Sequence, residues 1–449
     1  MTYAAATRYV EGLAILGMRF GLDRMKRLLD ALDRPHETAP AIHVVGTNGK
    51  SSTCRLAAAA LRSQGMRVGT YLSPHVTGWR ERIKVDQRAV GQARFARAVD
   101  AVRAAADGLA LDPDDGVTQF EVLTAAAFLA FADSGVDAMV VEAGLGGRYD
   151  ATNVLPASTV VVLTNVALEH TELLGTTEAA IAAEKLAVAP DGSDLVVIGR
   201  LSERAEAAVD AETAARRLGG WRVGRDVSVT RGERGVDVST PGALYRALPL
   251  PLRGEFQLDN LAVAVAAVER LLGGPLRLGT MRRAIAHVRM PGRFEVVRER
   301  PLTVLDGAHN PAGVEAMVGS LRSVVGRRTT VAVMSVLGDK DAAAMVAPLG
   351  AVCSTLVATR STHPRAAAPD VLAHLAKLAG MTAEVVEDPL QAIGRGLAVA
   401  GPRGALLVCG SLYLLADVRA AVMAGHEGGA DMLGAEIGRK SAMNKGERH

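Results

Sequence analysis

Aromatic residues make up only 3% of the 449-residue chain. A core has to be assembled instead from Ala, Val and Leu, with much of the Ala in helices. Cysteine is scarce too. Cys54, Cys353 and Cys409 are odd in number, far apart and in no CxxC pair. That argues against a disulfide framework or a zinc knuckle and fits a reducing compartment. The formal charge is only +3 and the arginines are scattered, so a mixed-charge surface without a nucleic-acid partner is expected. No apolar run approaches the roughly 20 residues that span a bilayer. Met1 to Phe20 has no basic segment followed by an apolar stretch, so no signal peptide is expected. Cytoplasm is the expected location.

What is present is a long chain of ordinary apolar content, too long for one core, so two or three domains are expected. The first half alternates apolar runs with amphipathic stretches. Ala41 to Val45 reads as a buried strand and Ser52 to Gln64 as a helix. Thr118-Gln119-Phe120-Glu121 matches a capping box ahead of an apolar helix, Val122 to Ala132. Ala138 to Val141 and Thr159 to Leu163 read as two more buried strands. From about Arg222 to Leu250, Val/Ser/Thr alternation with Gly and Pro predicts a small antiparallel excursion, followed by a helix over Asp259 to Leu272. The pattern breaks near Pro291-Gly292. Beyond it, Leu302 to Leu305, Thr330 to Ser335, Thr355 to Thr359, Ala383 to Val386 and Ala405 to Cys409 alternate with helical segments. That is the pattern of an open, mostly parallel sheet covered by helices. The expected fold is α/β: a P-loop ATPase domain over 1–294, a Rossmann-like domain over 295–426, and a loose tail over 427–449.

Between the first strand and its helix lies Gly46-Thr47-Asn48-Gly49-Lys50-Ser51. This is shorter than G-x-x-x-x-G-K-[ST], because Val44 stands where the first glycine belongs. The physics is unchanged: glycine amides approach phosphates, Lys50 counters their charge, and the Ser51 hydroxyl can face magnesium. The plainer alternative is a turn that happens to contain lysine. A strand before and a helix after favour nucleotide binding. Glu142 ends another buried strand, where a carboxylate beside such a loop can hold magnesium.

The loop resembles that of the Mur ligase superfamily, and its Asn48 points to the folate branch, the folylpolyglutamate synthase/dihydrofolate synthase family. Other motifs resemble the same branch and follow in its order. They are Tyr71-Leu72-Ser73-Pro74-His75, Glu142 to Asn153, Glu169-His170-Thr171 with Leu174-Gly175, and Ile181 to Lys185. The second half adds Gly292-Arg293-Phe294-Glu295, Asp306 to Pro311 and Gly410 to Leu414. The pattern departs at Glu169, where relatives carry Asp, at Leu186-Ala187-Val188, and at Tyr149.

The resemblance implies a ligase that uses ATP and Mg²⁺ to join L-glutamate to dihydropteroate or a reduced folate through an acyl phosphate. These small molecules are its expected partners, and it is expected to act as a monomer. Thr47, Asn48, Gly49, Lys50, Ser51 and Ser52 are implied at the phosphates, and Ser73, Glu142 and His170 join Ser51 as metal ligands. Lys185 is implied to be carbamylated; the bland alternative is an exposed cation paired with Glu184 or Glu178. Asn260 is implied at the adenine, although its position also suits a helix N-cap. Arg293 is implied at the triphosphate and Asp306 at the ribose. His309 falls with the nucleotide set and, with Ser411, near the incoming glutamate. The pterin substrate is implied against Asp23, Arg24, Phe120, Glu121, Tyr149, Asp150 and Ala151. Lys50, Lys185, His170 and Arg293 are the expected catalytic groups. No Ser/His/Asp or Cys/His set competes, and Cys54 reads as helix core.

Overall fold

The computed structural model describes residues 1–13, 21–109 and 116–427; all but the first residue of the expected tail lies outside them. The chain divides into two compact units, one of Met1–Pro251 with Phe256–Val288, the other of Leu252–Glu255 with Arg289 onward.

The first unit is built on an eight-stranded sheet. Its strands are β1 (Ala41–Val45), β2 (Val68–Tyr71), β3 (Ile83–Val85), β4 (Arg88–Ala89), β5 (Ala138–Glu142), β6 (Val160–Leu163), β7 (Val196–Ile198) and β8 (Gly220–Arg222). They lie in the order β4-β3-β2-β5-β1-β6-β7-β8. From β2 to β8 every pairing is parallel, while β3 and β4 form an antiparallel hairpin at one edge. The central strands are buried along their whole length and apolar except for His43 and Glu142, as strands covered on both faces are expected to be. Strands β2, β5, β1 and β6 are neighbours, so the segments leaving their carboxyl ends converge on one side of the sheet. That is where ligands bind in open α/β sheets.

The helix after β1 spans Lys50–Ser63 and is buried from Ser51 to Leu61. Alanines at 57–60 let it pack closely, and Cys54 is fully buried in it. Thr118 caps the helix Gln119–Ala132 in the expected box: its hydroxyl accepts from the Glu121 amide at 3.2 Å and Glu121 accepts from the Thr118 amide at 2.7 Å. The excursion is a three-stranded antiparallel sheet, β9 (Ser228–Gly232), β10 (Gly235–Ser239) and β11 (Leu244–Leu248).

The second unit holds a six-stranded sheet of β12 (Glu295–Glu299), β13 (Leu302–Leu305), β14 (Thr330–Met334), β15 (Thr355–Ala358), β16 (Thr382–Val385) and β17 (Ala405–Cys409). Their order is β12-β13-β17-β14-β15-β16, parallel throughout except for the antiparallel edge strand β12. No helix among the described residues is long and apolar enough to cross a membrane.

Candidate active site

The residues after β1 form a tight loop that opens the helix Lys50–Ser63. Gly49 has φ +85°, and a Cβ there would run into the Asn260 side-chain oxygen. Lys50 Nζ folds back to donate to the carbonyls of Gly46 (2.9 Å) and Thr47 (3.0 Å). Ser51 Oγ donates to Glu142 Oε1 at 2.7 Å, and the Ser73 amide donates to Glu142 Oε2 at 3.1 Å. One buried carboxylate at the end of β5 thus joins the segments that leave β1 and β2.

Ser52 accepts from Gln257 Nε2 at 3.3 Å, and Asn260 Nδ2 donates to Gln257 Oε1 at 2.9 Å. Asn260 therefore faces the loop. It is not a helix cap: the helix starts earlier than expected, at Phe256, and Asn260 lies inside it.

A strap from β6 grips the loop from the other side. The Thr47 amide donates to the Asn165 carbonyl at 3.1 Å, and the Asn48 amide to Asn165 Oδ1 at 2.8 Å. Thr164 Oγ1 donates to the Asn48 carbonyl at 2.6 Å, and Thr47 Oγ1 bonds Ala167 at 3.1 Å. Sequence reasoning missed Thr164 and Asn165, whose only local signal is a polar pair at a strand end. Asn165→Ala removes one of these bonds and should weaken ADP binding roughly three- to tenfold, read by titration calorimetry; unchanged affinity would remove the strap from nucleotide binding.

The strap continues into Glu169 and His170, whose φ of +50° starts the short helix Thr171–Leu174. The loop after Glu142 is organised by Asp150, which accepts from the Leu145 amide at 2.8 Å and the Thr152 amide at 3.0 Å. Thr152 in turn meets His43 Nε2 at 2.7 Å. Burial pushes His43 down to about 3, so it is neutral. Burial raises the Asp150 carboxyl above its ordinary value, against the lowering effect of those bonds. Asp150 is thus committed to holding its own loop, Ala151 is buried, and Tyr149 is 49% exposed.

Lys185 lies near the end of the helix Glu178–Leu186 and is only 4% exposed. The glycine loop presses on it: a Cβ on Gly147 would sit 2.5 Å from the Glu184 carbonyl oxygen and 2.8 Å from that of Lys185. Burial, reinforced by Lys50, pushes the Lys185 amine down to about 7, against Glu169, Asp150 and Glu184. The bland reading fails. Lys185 is not an exposed cation, and Glu184 pairs with Arg148 at 3.1 Å.

On the acceptor side, Arg24 and Glu121 form a buried ion pair at 3.2 Å, so their charges neutralise each other. Asp23 begins its helix and is exposed. Phe120 packs against Gly144 and lies 6.0 Å from the Tyr71 ring.

In the second unit, Asp306 directly follows β13 as a buried turn-holder, accepting from the amides of Phe294 and Ala308 at 2.7 Å each. Burial raises its carboxyl, opposed first by Arg293. Arg293 donates to the Gly307 carbonyl at 3.2 Å, and His309 Nδ1 lies 2.8 Å from the same oxygen. These three residues are therefore grouped. Ser411 is buried at the start of the helix Leu412–Glu427, with its hydroxyl accepting from the Tyr413 amide at 3.1 Å.

Among the described residues no three His, Cys, Asp or Glu side chains cluster to hold a metal. Magnesium keeps several waters and takes one or two carboxylates plus phosphate oxygens. The Ser51 hydroxyl against the buried Glu142 carboxylate is an oxygen donor set of that kind.

The chain is a Mur-type ATP-dependent amide ligase, as the family models that match both of its halves show. Residues 44–268 match the Mur ligase middle domain, and residues 292–412 the Mur ligase glutamate ligase domain. The chain is 37% identical over 373 residues to the dihydrofolate synthase/folylpolyglutamate synthase of Mycobacterium tuberculosis, covering 78% of this chain and 76% of that one. It is similar to the structure of Escherichia coli FolC in complex with DHPP and ADP, with TM-score 0.85 and 28% identity over 95% of this chain and 99% of that one. It is also similar to the Yersinia pestis bifunctional folylpolyglutamate synthase/dihydrofolate synthase complexed with AMPPNP and Mn ion, with TM-score 0.83 and 30% identity over 94% and 98%. The chain belongs to the folylpolyglutamate synthase/dihydrofolate synthase family.

Proposed function

We propose that this chain joins the amine of L-glutamate to the carboxylate of dihydropteroate and of reduced folylglutamates, at the expense of ATP. The observation that carries the reading is the Ser51–Glu142–Ser73 junction beside Lys50, with Lys185 buried nearby and shifted toward the neutral amine.

A carboxylate does not condense with an amine in water. Transfer of a γ-phosphoryl group makes it an acyl phosphate, which the glutamate amine attacks with loss of phosphate. Such a transfer needs positioning and charge neutralisation rather than a protein nucleophile. The loop amides and Lys50 hold the phosphates, with the Lys50 ammonium exchanging its two loop carbonyls for phosphate oxygens. Ser51, Ser73, Glu142 and His170 would hold the magnesium, whose charge offsets that of the phosphates when bound. Arg293 and Asp306 are assigned to the nucleotide, and His309 and Ser411 to the incoming glutamate, on their motifs. Asn260, next to the loop, is assigned to the adenine. Phe120 and Tyr149 are the acceptor-side groups with surface to offer; Arg24, Glu121 and Asp150 shape that side through the bonds they make to each other and to their loops.

Both acceptors present the same reacting group, so one ATP site serves either reaction. The Escherichia coli relative solved in complex with DHPP and ADP supports a site that takes a second small molecule along with the nucleotide. Kinetics with dihydropteroate and with a reduced folate at matched ATP and glutamate should give product from each, identified by mass spectrometry. Product from the folate alone would leave an enzyme of chain extension only. Product from neither would overturn the reading.

A further inference from the structure

The segment that leaves β2, residues 73–82, carries Ser73 at its start and a second carboxylate, Glu81, near its end. Glu81 Oε2 accepts from the Val76 amide (2.9 Å), the Thr77 amide (2.8 Å) and the Thr77 hydroxyl (2.9 Å). Its other oxygen, Oε1, accepts from Arg55 Nη2 at 2.8 Å. Arg55 stands one helical turn beyond Ser51 on the same face of the phosphate-loop helix, and both side chains of the pair are nearly buried, at 7% and 10% exposure. Burial alone would raise the Glu81 carboxyl; the Thr77 and Val76 amides and Arg55 outweigh it and hold it below its ordinary value.

The same two elements are therefore stitched twice, one turn apart. The first stitch is Ser51–Glu142–Ser73. The second is Arg55–Glu81–Val76/Thr77. The first lies at the proposed metal site; the second lies one turn further along the helix, with the Arg55 cation close enough to the Glu142 carboxylate for their charges to attract. A loop tied to its own helix at a second point cannot shift Ser73 relative to Ser51 without breaking a buried ion pair, which is a costly event.

We propose that Arg55 and Glu81 are positioning residues that set the spacing of Ser51 and Ser73, and so the affinity of the metal–nucleotide site. The proposal rests on the reading of Ser51, Ser73 and Glu142 as that site.

The test is binding, with activity as a second readout. ADP affinity is measured by titration calorimetry with and without Mn²⁺, for the full chain and for Arg55→Met, Arg55→Lys, Thr77→Val and Glu142→Ala. Arg55→Met should lose about tenfold in Mn²⁺-dependent ADP affinity, with metal-free affinity within about twofold, as expected when a residue behind a metal ligand is removed. Arg55→Lys keeps a cation opposite Glu81 and should recover most of the loss. Thr77→Val removes a bond inside the loop but leaves the stitch, so it should match wild type. An unchanged Mn²⁺ response in folded Arg55→Met, an equal loss in both ADP measurements, or the same loss in Thr77→Val overturns the proposal. Glu142→Ala separates the two readings. If it binds Mn²⁺·ADP like wild type, the metal site itself is wrong; if it fails while Arg55→Met is normal, only the second stitch is wrong.

Discussion

Replacing Lys50 with Ala should lower ligation on the order of a thousandfold, the scale seen when a group aimed at transition-state charge is lost. The fold should survive. Lys50 is the first residue of its helix, where Ala is at least as good a helix former. Its side chain makes two partly buried bonds to the loop's own carbonyls, worth about 1 kcal/mol each. The rest of the loop is held without it, by the Asn165 and Thr164 bonds and by Ser51 on Glu142. Product formation and circular dichroism, measured side by side, decide the matter. Near-normal turnover in a folded variant would remove the phosphate loop from the chemistry.

The second large effect is expected at Lys185. An ordinary lysine is neutral in roughly one copy in 3,000 at pH 7; with its amine pushed down to about 7, Lys185 carries a far larger neutral fraction there. A neutral amine adds CO₂ and releases a proton, giving an anionic carbamate. Lys50, which repels the Lys185 cation, would attract that anion. We therefore expect activity to rise from pH 6 to 8, to fall in CO₂-depleted buffer, and to return with bicarbonate. Lys185→Ala should be slow at every pH and partly rescued by a small carboxylic acid. A wild-type enzyme indifferent to CO₂ would dismiss the carbamate. The same shift gives a sign for stability without the carbamate. Between about pH 7 and the ordinary lysine value the unfolded chain binds more protons at this position, so stability should increase as pH rises through that window.

The elements that were legible in the sequence are those whose signal is local. β1 is a short run, apolar but for His43, followed by glycine, and the Thr118–Glu121 box announces its helix because both partners are three residues apart. The parallel strands of the second unit show as short, mostly apolar runs separated by helix-length spacers. Strands β7 and β8 have only three residues each and carry too little pattern. The edge strand β12 has Arg and Glu in it and is recognisable only from its partner β13. The site shows the same division. Gly49, Lys50 and Ser51 were readable because adjacent residues make the loop. Arg24 with Glu121, 97 positions apart, looked like substrate contacts because no sequence says that two charges bury each other. The strap at Thr164 and Asn165 escaped notice because half of its grip is backbone, which any residue carries.

The segment 73–82 also contains Trp79, whose ring lies 4.6 Å from His75 and 5.0 Å beneath the Arg82 guanidinium, with its indole nitrogen donating to Glu11 at 3.2 Å. The chain has one other tryptophan, Trp221, which sits in β8 at the opposite end of the same sheet under Arg270. Intrinsic fluorescence from this enzyme is consequently a two-lamp signal, one lamp on the segment that carries Ser73 and one far along the sheet. A Trp221→Phe variant would leave a single reporter, and its quenching could time the arrival of nucleotide or acceptor within one turnover without any attached dye.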